Sequence, residues 1–345
     1  MFIVNSYFVA VLLCIITMLC WGSWGNTQKL ASREWKFQLF YWDYGFGVLI
    51  WALLLAFTLG SMGDSGVGRG FIDDIKQWNA GGEIGALFQK NVFWAFVGGV
   101  VFNLSNLLLV IAIDIAGLAV AFPVGVGLAL VLGVVMTYCL RPEGDPVLLG
   151  VGVALVLVAI IINALAYKKL QGSKSGGTPV LGIVISVIAG VLMGCGFFAL
   201  VSQGMAKNFV TPEAGTMTPY TALVVFSVGL VLSNFIWNSI VMIKPVRGEK
   251  VSFSDYFKGS FKTHIIGMLG GIIWNIGMSF SLLAAEKAGA ALSYGLGQGA
   301  TLVAALWGVF IWKEFKGAPK GTNTLLTAMF VFFLAGLGLL IYSKM

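Results

Sequence analysis

Residues 98–131 read GGVVFNLSNLLLVIAIDIAGLAVAFPVGVGLALV, and residues 270–303 read GGIIWNIGMSFSLLAAEKAGAALSYGLGQGATLV. The two stretches align without a gap at a constant offset of 172 positions. Gly98, Gly99, Asn103, Gly117, Gly125 and Gly127 fall on Gly270, Gly271, Asn275, Gly289, Gly297 and Gly299. Asp114 falls on Glu286, and just beyond the window Arg141 falls on Lys313. Apolar residues coincide by chance between any two lipid-soluble segments. Glycines, an amide and an acid in one register do not, so the match predicts an internal duplication.

The rest of the chain says what is duplicated. It is 59% hydrophobic and only 10% charged, with a mean hydropathy of +0.94. A soluble protein carries about a quarter charged residues, and this chain could not cover a globule with polar surface. Apolar stretches long enough to cross a bilayer, about 20 residues each, recur at 7–30, 39–60, 92–113, 117–140, 147–167, 179–206, 218–243, 264–285, 289–312 and 323–342, with Lys29 and Asp43 the only Asp, Glu, Lys or Arg inside them. The expected fold is therefore an all-α integral membrane protein of ten transmembrane helices. Residues 1–168 form a first five-helix repeat with an interfacial segment at 61–91; residues 169–178 form a basic Gly/Ser linker; residues 179–345 form a second five-helix repeat. Five is odd and the linker does not cross, so the second repeat enters from the opposite side. The expected halves are inverted copies, an arrangement that supports alternating access to a midplane site.

The net charge of +7 does not indicate nucleic acid, because the basic residues sit in short segments between apolar runs. The connections after odd-numbered spans, together with Lys29 at the end of the first span, hold 14 of the 21 Lys and Arg, which predicts those connections in the cytoplasm and both termini outside. The N-terminal span lacks a basic leader and a small-residue cleavage site, and reads as a retained helix. Cys14, Cys20, Cys139 and Cys195 lie in or beside apolar runs without metal-ligand spacing. Within 61–91, Phe71, Ile72, Ile75 and Trp78 recur at helical spacing among Asp73, Asp74 and Lys76, which suggests an amphipathic interfacial helix, with a solvated loop as the alternative.

Polar residues inside apolar runs are the candidate site. Asn103 and Asn275 occupy matched positions, and Asn106 shares the face of Asn103. Paired amides bind a neutral polar solute through donor and acceptor contacts; they equally serve as hydrogen bonds between helices. Tyr294 and Gln298 are four apart on one face of a glycine-dense span. Trp24 and Asn26 close the first span beside Trp21, either as an aromatic wall of a solute site or as interfacial anchors, the latter sufficing for Trp42. Pro123 removes a backbone donor, and with Gly125, Gly127, Gly295, Gly297 and Gly299 it marks positions of bending or close packing. Ionisable groups in membranes are costly. Asp43, with Arg33 or Lys36 as neutralising partner, and Glu286 are the candidates for proton coupling.

The chain excludes other chemistry. The single histidine, His264, has no nucleophile partner, metal clusters are absent, and no P-loop spacing occurs. No enzyme, no metal and no cofactor are expected. The stretches WGSW at 21–24, YWDYGFG at 41–47, GGVVFNLSN at 98–106 and WKEF at 312–315 resemble the drug/metabolite transporter (DMT) superfamily. Within it they are similar to the branch of glucose/ribose porters, the rhamnose–proton symporter and ureide permeases. The long central hydrophilic loop of the plant permeases is replaced here by a short basic linker. The resemblance implies a DMT-type fold and proton-coupled transport of a sugar, ureide or nucleobase in a bacterial inner membrane. A drug or metabolite exporter is the alternative, and a membrane sensor or scaffold the rival of another class. The expected partners are a small-molecule substrate, membrane lipid and protons, with nucleic acid excluded and a homo-oligomer allowed.

Overall fold

A computed structural model describes residues 1–31, 35–62, 69–116, 118–140, 142–171, 180–246, 249–313 and 315–344. Arg33, Arg141, linker residues 172–178 and the side chains of Asp114 and Pro123 lie outside that description. Most of the described residues are helical, and among them one isolated bridge joins Met205 and Met217.

The first apolar run is divided at Trp24 into α1 (Tyr7–Ser23) and α2 (Gly25–Ala31). After it come α3 (Phe37–Phe57), the short α4 (Phe71–Lys76), α5 (Gly82–Ala116), α6 (Leu118–Leu140) and α7 (Pro146–Gln171). Beyond the linker lie α8 (Val180–Leu192) and α9 (Phe198–Gln203), joined by a π-turn at Met193–Phe197. Then follow α10 (Pro219–Ile243), α11 (Phe253–Tyr256) and α12 (Phe261–Ala288). The last are α13 (Ala290–Gly297), α14 (Ala300–Leu306) and α15 (Thr322–Tyr342). Among the described residues nine helical runs are long and apolar enough to cross a membrane, and α6 contributes a shorter apolar stretch, Val124–Leu140.

The helix starts differ from the hydropathy reading where polar turns extend a span. The 35 residues of α5 make a rod of roughly 52 Å at 1.5 Å per residue, so its first turns project beyond the ~30 Å hydrocarbon layer. There Asn91 Nδ2 donates to the Gly215 carbonyl at 2.8 Å. The interfacial segment folds as α4 and a 3-10 turn at Gln77–Asn79. Its Phe71 and Asp74 are buried, while Ile72, Ile75 and Trp78 are exposed.

Four helices, α3, α5, α10 and α12, pack through glycines at the centre. A Cβ on Gly271 would stand 2.0 Å from the Tyr44 carbonyl oxygen, and one on Gly99 would stand 2.0 Å from that of Phe226. A Cβ on Gly47 would meet the Met268 oxygen at 2.0 Å, and one on Gly229 the Phe96 oxygen at 2.3 Å. Only a residue without a side chain permits backbones this close. Phe96 and Met268 are separated by the same 172 positions as Gly99 and Gly271 (268 − 96 and 271 − 99). The neighbour pairs repeat as well: α5 lies on α10 as α12 lies on α3, and α1 lies on α12 as α8 lies on α5.

Candidate solute site

A cavity of about 550 Å³, its mouth included, lies among six helical runs. Trp21, Trp24, Phe102, Phe197 and Trp274 supply its aromatic wall, and Asn106, Gln298 and Thr301 its polar groups. The rings are ordered against one another. Trp21 stacks on Trp274 with centroids 5.8 Å apart at 11°, and its indole Nε1 donates to the Trp274 carbonyl at 3.1 Å. Phe102 lies 4.4 Å from Trp274 and 4.9 Å from Phe197. Trp24 rests on Tyr44 at 5.0 Å.

Two helix interruptions face this cavity. Gln298 and Gly299 separate α13 from α14, and the π-turn at Met193–Phe197 interrupts the run from α8 to α9. Such breaks free backbone groups, and inside a membrane they are tolerated where they line a cavity. Among the described residues the Gln298 side-chain amide has no protein hydrogen-bond partner, although the residue is only 6% exposed. Asn106 donates from Nδ2 to the Tyr41 hydroxyl at 2.8 Å, which leaves its carbonyl oxygen as an acceptor. The site thus offers flat apolar faces with a few donors and acceptors, as small-molecule sites do.

The other residues singled out in the sequence are placed elsewhere. Asn103 Nδ2 donates to Ser233 Oγ at 3.0 Å and Asn275 Nδ2 to the Val48 carbonyl at 2.7 Å, so both amides bridge helices. Tyr294 is fully buried with its hydroxyl donating to the Ala129 carbonyl at 3.2 Å. Asn26 takes the Trp312 indole N–H on Oδ1 at 2.7 Å. A Cβ on Gly125 would meet Leu109, one on Gly127 Leu157, one on Gly295 Val134, one on Gly297 Trp21 and one on Gly299 Met18. Trp42 is not an interfacial anchor: it is buried, and its Nε1 donates to Met242 Sδ at 3.2 Å. Met193, Phe102, Phe197, Trp274 and Thr301 escaped the sequence reading. The available signal was the placement of bulky aromatics at mid-span, away from the interfaces they usually occupy.

Asp43 and Glu286 are not brought together. Asp43 is completely buried near the start of α3. Its Oδ1 accepts from the Tyr256 hydroxyl at 2.6 Å and meets His264 Nδ1 at 2.8 Å, and its Oδ2 accepts from Trp35 Nε1 at 3.0 Å. Lys36 is not its partner; that ammonium pairs with Glu249 at 3.0 Å. The Tyr256 phenol, outside the spans, is pushed well up, by burial first and then by Asp43 as acceptor, so it remains a donor. Glu286 lies at the far end of α12, 22 residues beyond His264 and therefore roughly 33 Å away along the helix. It pairs with Lys287 at 2.7 Å and accepts the Phe209 N–H at 2.7 Å. Its carboxylate lies on α12 and is nearly buried.

The family model for ureide permeases matches residues 40–175 and 172–343 of this chain. The chain belongs to the ureide permease family. It is 23% identical to "Ureide permease 1" of Arabidopsis thaliana over 403 residues, covering 100% of this chain and 99% of that protein. It is 23% identical to "Ureide permease 2" of the same plant over 412 residues, with the same coverage. A shorter match, 24% identical over 168 residues, joins it to "Transmembrane protein 144 homolog B" of Dictyostelium discoideum and covers 48% of this chain and 41% of that one. Membership makes the protein a multi-pass membrane permease for a small polar metabolite and points to transport rather than enzymatic chemistry.

Proposed function

We propose that this protein is a secondary active permease that moves a ureide, or a similarly flat neutral solute such as a nucleobase or sugar, through the cavity between α1, α5, α6, α12 and α13. The observation that carries this reading is the Gln298 amide, without a partner among the described residues, set at a helix break beside a wall of tryptophans. A ureide presents a planar face to stack and amide groups that match the donor and acceptor of Gln298 and the carbonyl of Asn106. Trp24, Asn106 and Gln298 are the proposed solute contacts. Asn103, Asn275, Tyr294 and Asn26 support the cavity from behind through the bonds described above.

Alternating access follows from the ten-helix inverted repeat, read as residues 1–168 and 179–345 about the linker. The paired glycine contacts at offset 172 and the repeated neighbour pairs support it. Proton coupling through Asp43, with Glu286 at the opposite end, and cytoplasmic placement of the α11 side complete the proposal. The bacterial inner membrane is the proposed location.

The test is counterflow in proteoliposomes with labelled allantoin, uracil and sugars, with and without a pH gradient. Accumulation of one of these that depends on Gln298 supports the reading. If none of them exchanges under either condition, the reading falls.

A further inference from the structure

We propose that Asp43 and His264 hold the coupled proton between them, with His264 as the group that exchanges it with water. This rests on the proton-coupled reading above and adds the group that carries the charge. The chain has one histidine, and the fold sets its Nδ1 2.8 Å from a carboxylate that has no solvent exposure. His264 retains 19% of its side-chain surface, against 0% for Asp43. The imidazole therefore stands between water and the acid.

The surroundings leave that role to the imidazole. A buried carboxylate needs a charge partner or several donors. Among the described residues the other groups on Asp43 are the Tyr256 hydroxyl from α11 and the Trp35 indole ahead of α3, neither of which carries charge. Two pairs of ions on this side are engaged with each other, Lys36 with Glu249 and Lys258 with Asp255, and Lys262 on α12 is exposed. From α10, the contacts onto this end of α3 include the Asn238 amide on the Gln38 carbonyl, the Asn234 amide on the Tyr41 carbonyl, and Met242 and Phe235 on Trp42, none of them charged. Imidazole is the side chain whose charge ordinarily changes between about pH 5 and 8. A proton taken up at Nε2 makes the pair imidazolium–carboxylate; transfer of the Nδ1 proton to Oδ1 leaves neutral imidazole and neutral acid. One proton is added in either form.

The pair is connected to the solute cavity through one turn of α3. Tyr41, two residues before Asp43, accepts the Asn106 amide. Tyr44, the next residue, packs on Trp24 at 5.0 Å and Trp274 at 6.4 Å. A change in how Asp43 is held against α11 and α12 therefore acts on the two cavity walls that Tyr41 and Tyr44 support. Gly267 makes the contact tight, since a Cβ there would stand 2.4 Å from Asp43 Cβ.

The experiment uses proteoliposomes loaded with a pH-sensitive dye, with allantoin-driven proton entry and allantoin counterflow measured on the same preparation. In His264→Gln the expected loss of proton entry exceeds any loss of counterflow by about ten-fold or more, in the range of ordinary coupling energies. Diethylpyrocarbonate on the unaltered protein gives a second route that involves no refolding, because there is one imidazole to modify. The same selective loss is expected, and hydroxylamine should restore proton entry. Proton entry that survives both treatments overturns the Asp43–His264 pair while leaving the coupled reading intact. Counterflow without proton entry in the unaltered protein overturns the coupled reading, and this inference with it.

Discussion

Asn106 gives its amide hydrogen to the Tyr41 hydroxyl across 2.8 Å, joining a cavity-lining residue of α5 to the first turns of α3. Both partners are buried, Tyr41 completely. Removing the hydroxyl with Tyr41→Phe leaves the Asn106 amide hydrogens without a partner. Such a loss costs about 1–3 kcal/mol. The expected result is a lower unfolding temperature in detergent and an apparent solute affinity reduced by about ten-fold, the equivalent of 1.4 kcal/mol. Counterflow half-saturation checks the second, and an unchanged value would show that the bond does not orient Asn106.

Gln298 should behave in the opposite way. Its side chain has no protein partner among the described residues, so truncation removes nothing that holds the fold. Gln298→Ala is expected to leave thermal stability within about 0.5 kcal/mol, the usual range for sites away from such features. Solute affinity should fall by one or two hydrogen bonds, about 1–3 kcal/mol. A variant that loses stability and keeps affinity would assign Gln298 to packing and move the solute elsewhere.

The glycine pairs give a prediction with an internal control. Alanine at Gly271 or Gly99 would place its methyl 2.0 Å from a carbonyl oxygen of the facing helix, whereas alanine at Gly25 would meet nothing within 4 Å. Overpacking of this kind typically costs about 1–3 kcal/mol. Gly271→Ala and Gly99→Ala are expected to lower the unfolding temperature by similar amounts, since each separates one half's helix from the other's. Gly25→Ala should be neutral or slightly stabilising, as alanine favours a helix over glycine by about 1 kcal/mol. Equal melting of all three variants would remove the close approach as a stabilising feature.

How much of this was legible in the sequence depends on whether a property is local. Helix existence is local, so hydropathy located the apolar runs and missed mainly polar extensions such as the first turns of α5. The offset-172 match located Gly99 and Gly271 because close approach leaves a composition signal. Which face a residue turns to which neighbour is not local. Lys36 precedes Asp43 by seven positions, two helical turns or about 10 Å, and from there it meets Glu249. His264 is 221 positions away and in contact. Trp21 and Trp42 look alike in sequence, at the ends of spans, yet Trp21 lines the cavity and Trp42 packs against α10. The π-turn at Met193–Phe197 has no sequence mark beyond Gly194 and Gly196. It is visible only once α6 and α5 are seen to pack there.

At the other end of the molecule, Arg69 and Asp74 tie α4 to the segment before α10. Arg69 Nε meets Asp74 Oδ1 at 2.6 Å, and its guanidinium also donates to the carbonyls of Pro212, Glu213 and Thr216. Asp74 Oδ2 accepts the Thr218 N–H at 2.6 Å and the Thr221 hydroxyl at 2.7 Å. Asp74 is completely buried and Arg69 only 18% exposed, so salt screens the pair little. Breaking a buried pair by removing one member costs about 3–5 kcal/mol, because the other charge is left uncompensated. Arg69→Ala is therefore expected to release the segment around Pro212 and Thr216 to proteolysis, with a loss that persists at high salt. Arg69→Lys should recover only part of it, since an ammonium cannot span the carboxylate and three carbonyls as the guanidinium does. Lys76→Ala serves as the comparison: its exposed pair with Asp73 at 2.8 Å is worth at most about 1 kcal/mol. If Arg69→Ala melts and cleaves like Lys76→Ala, the Arg69 bonds do not hold the segment, and Phe71 and the Asp74 bonds to Thr218 and Thr221 anchor α4 without them.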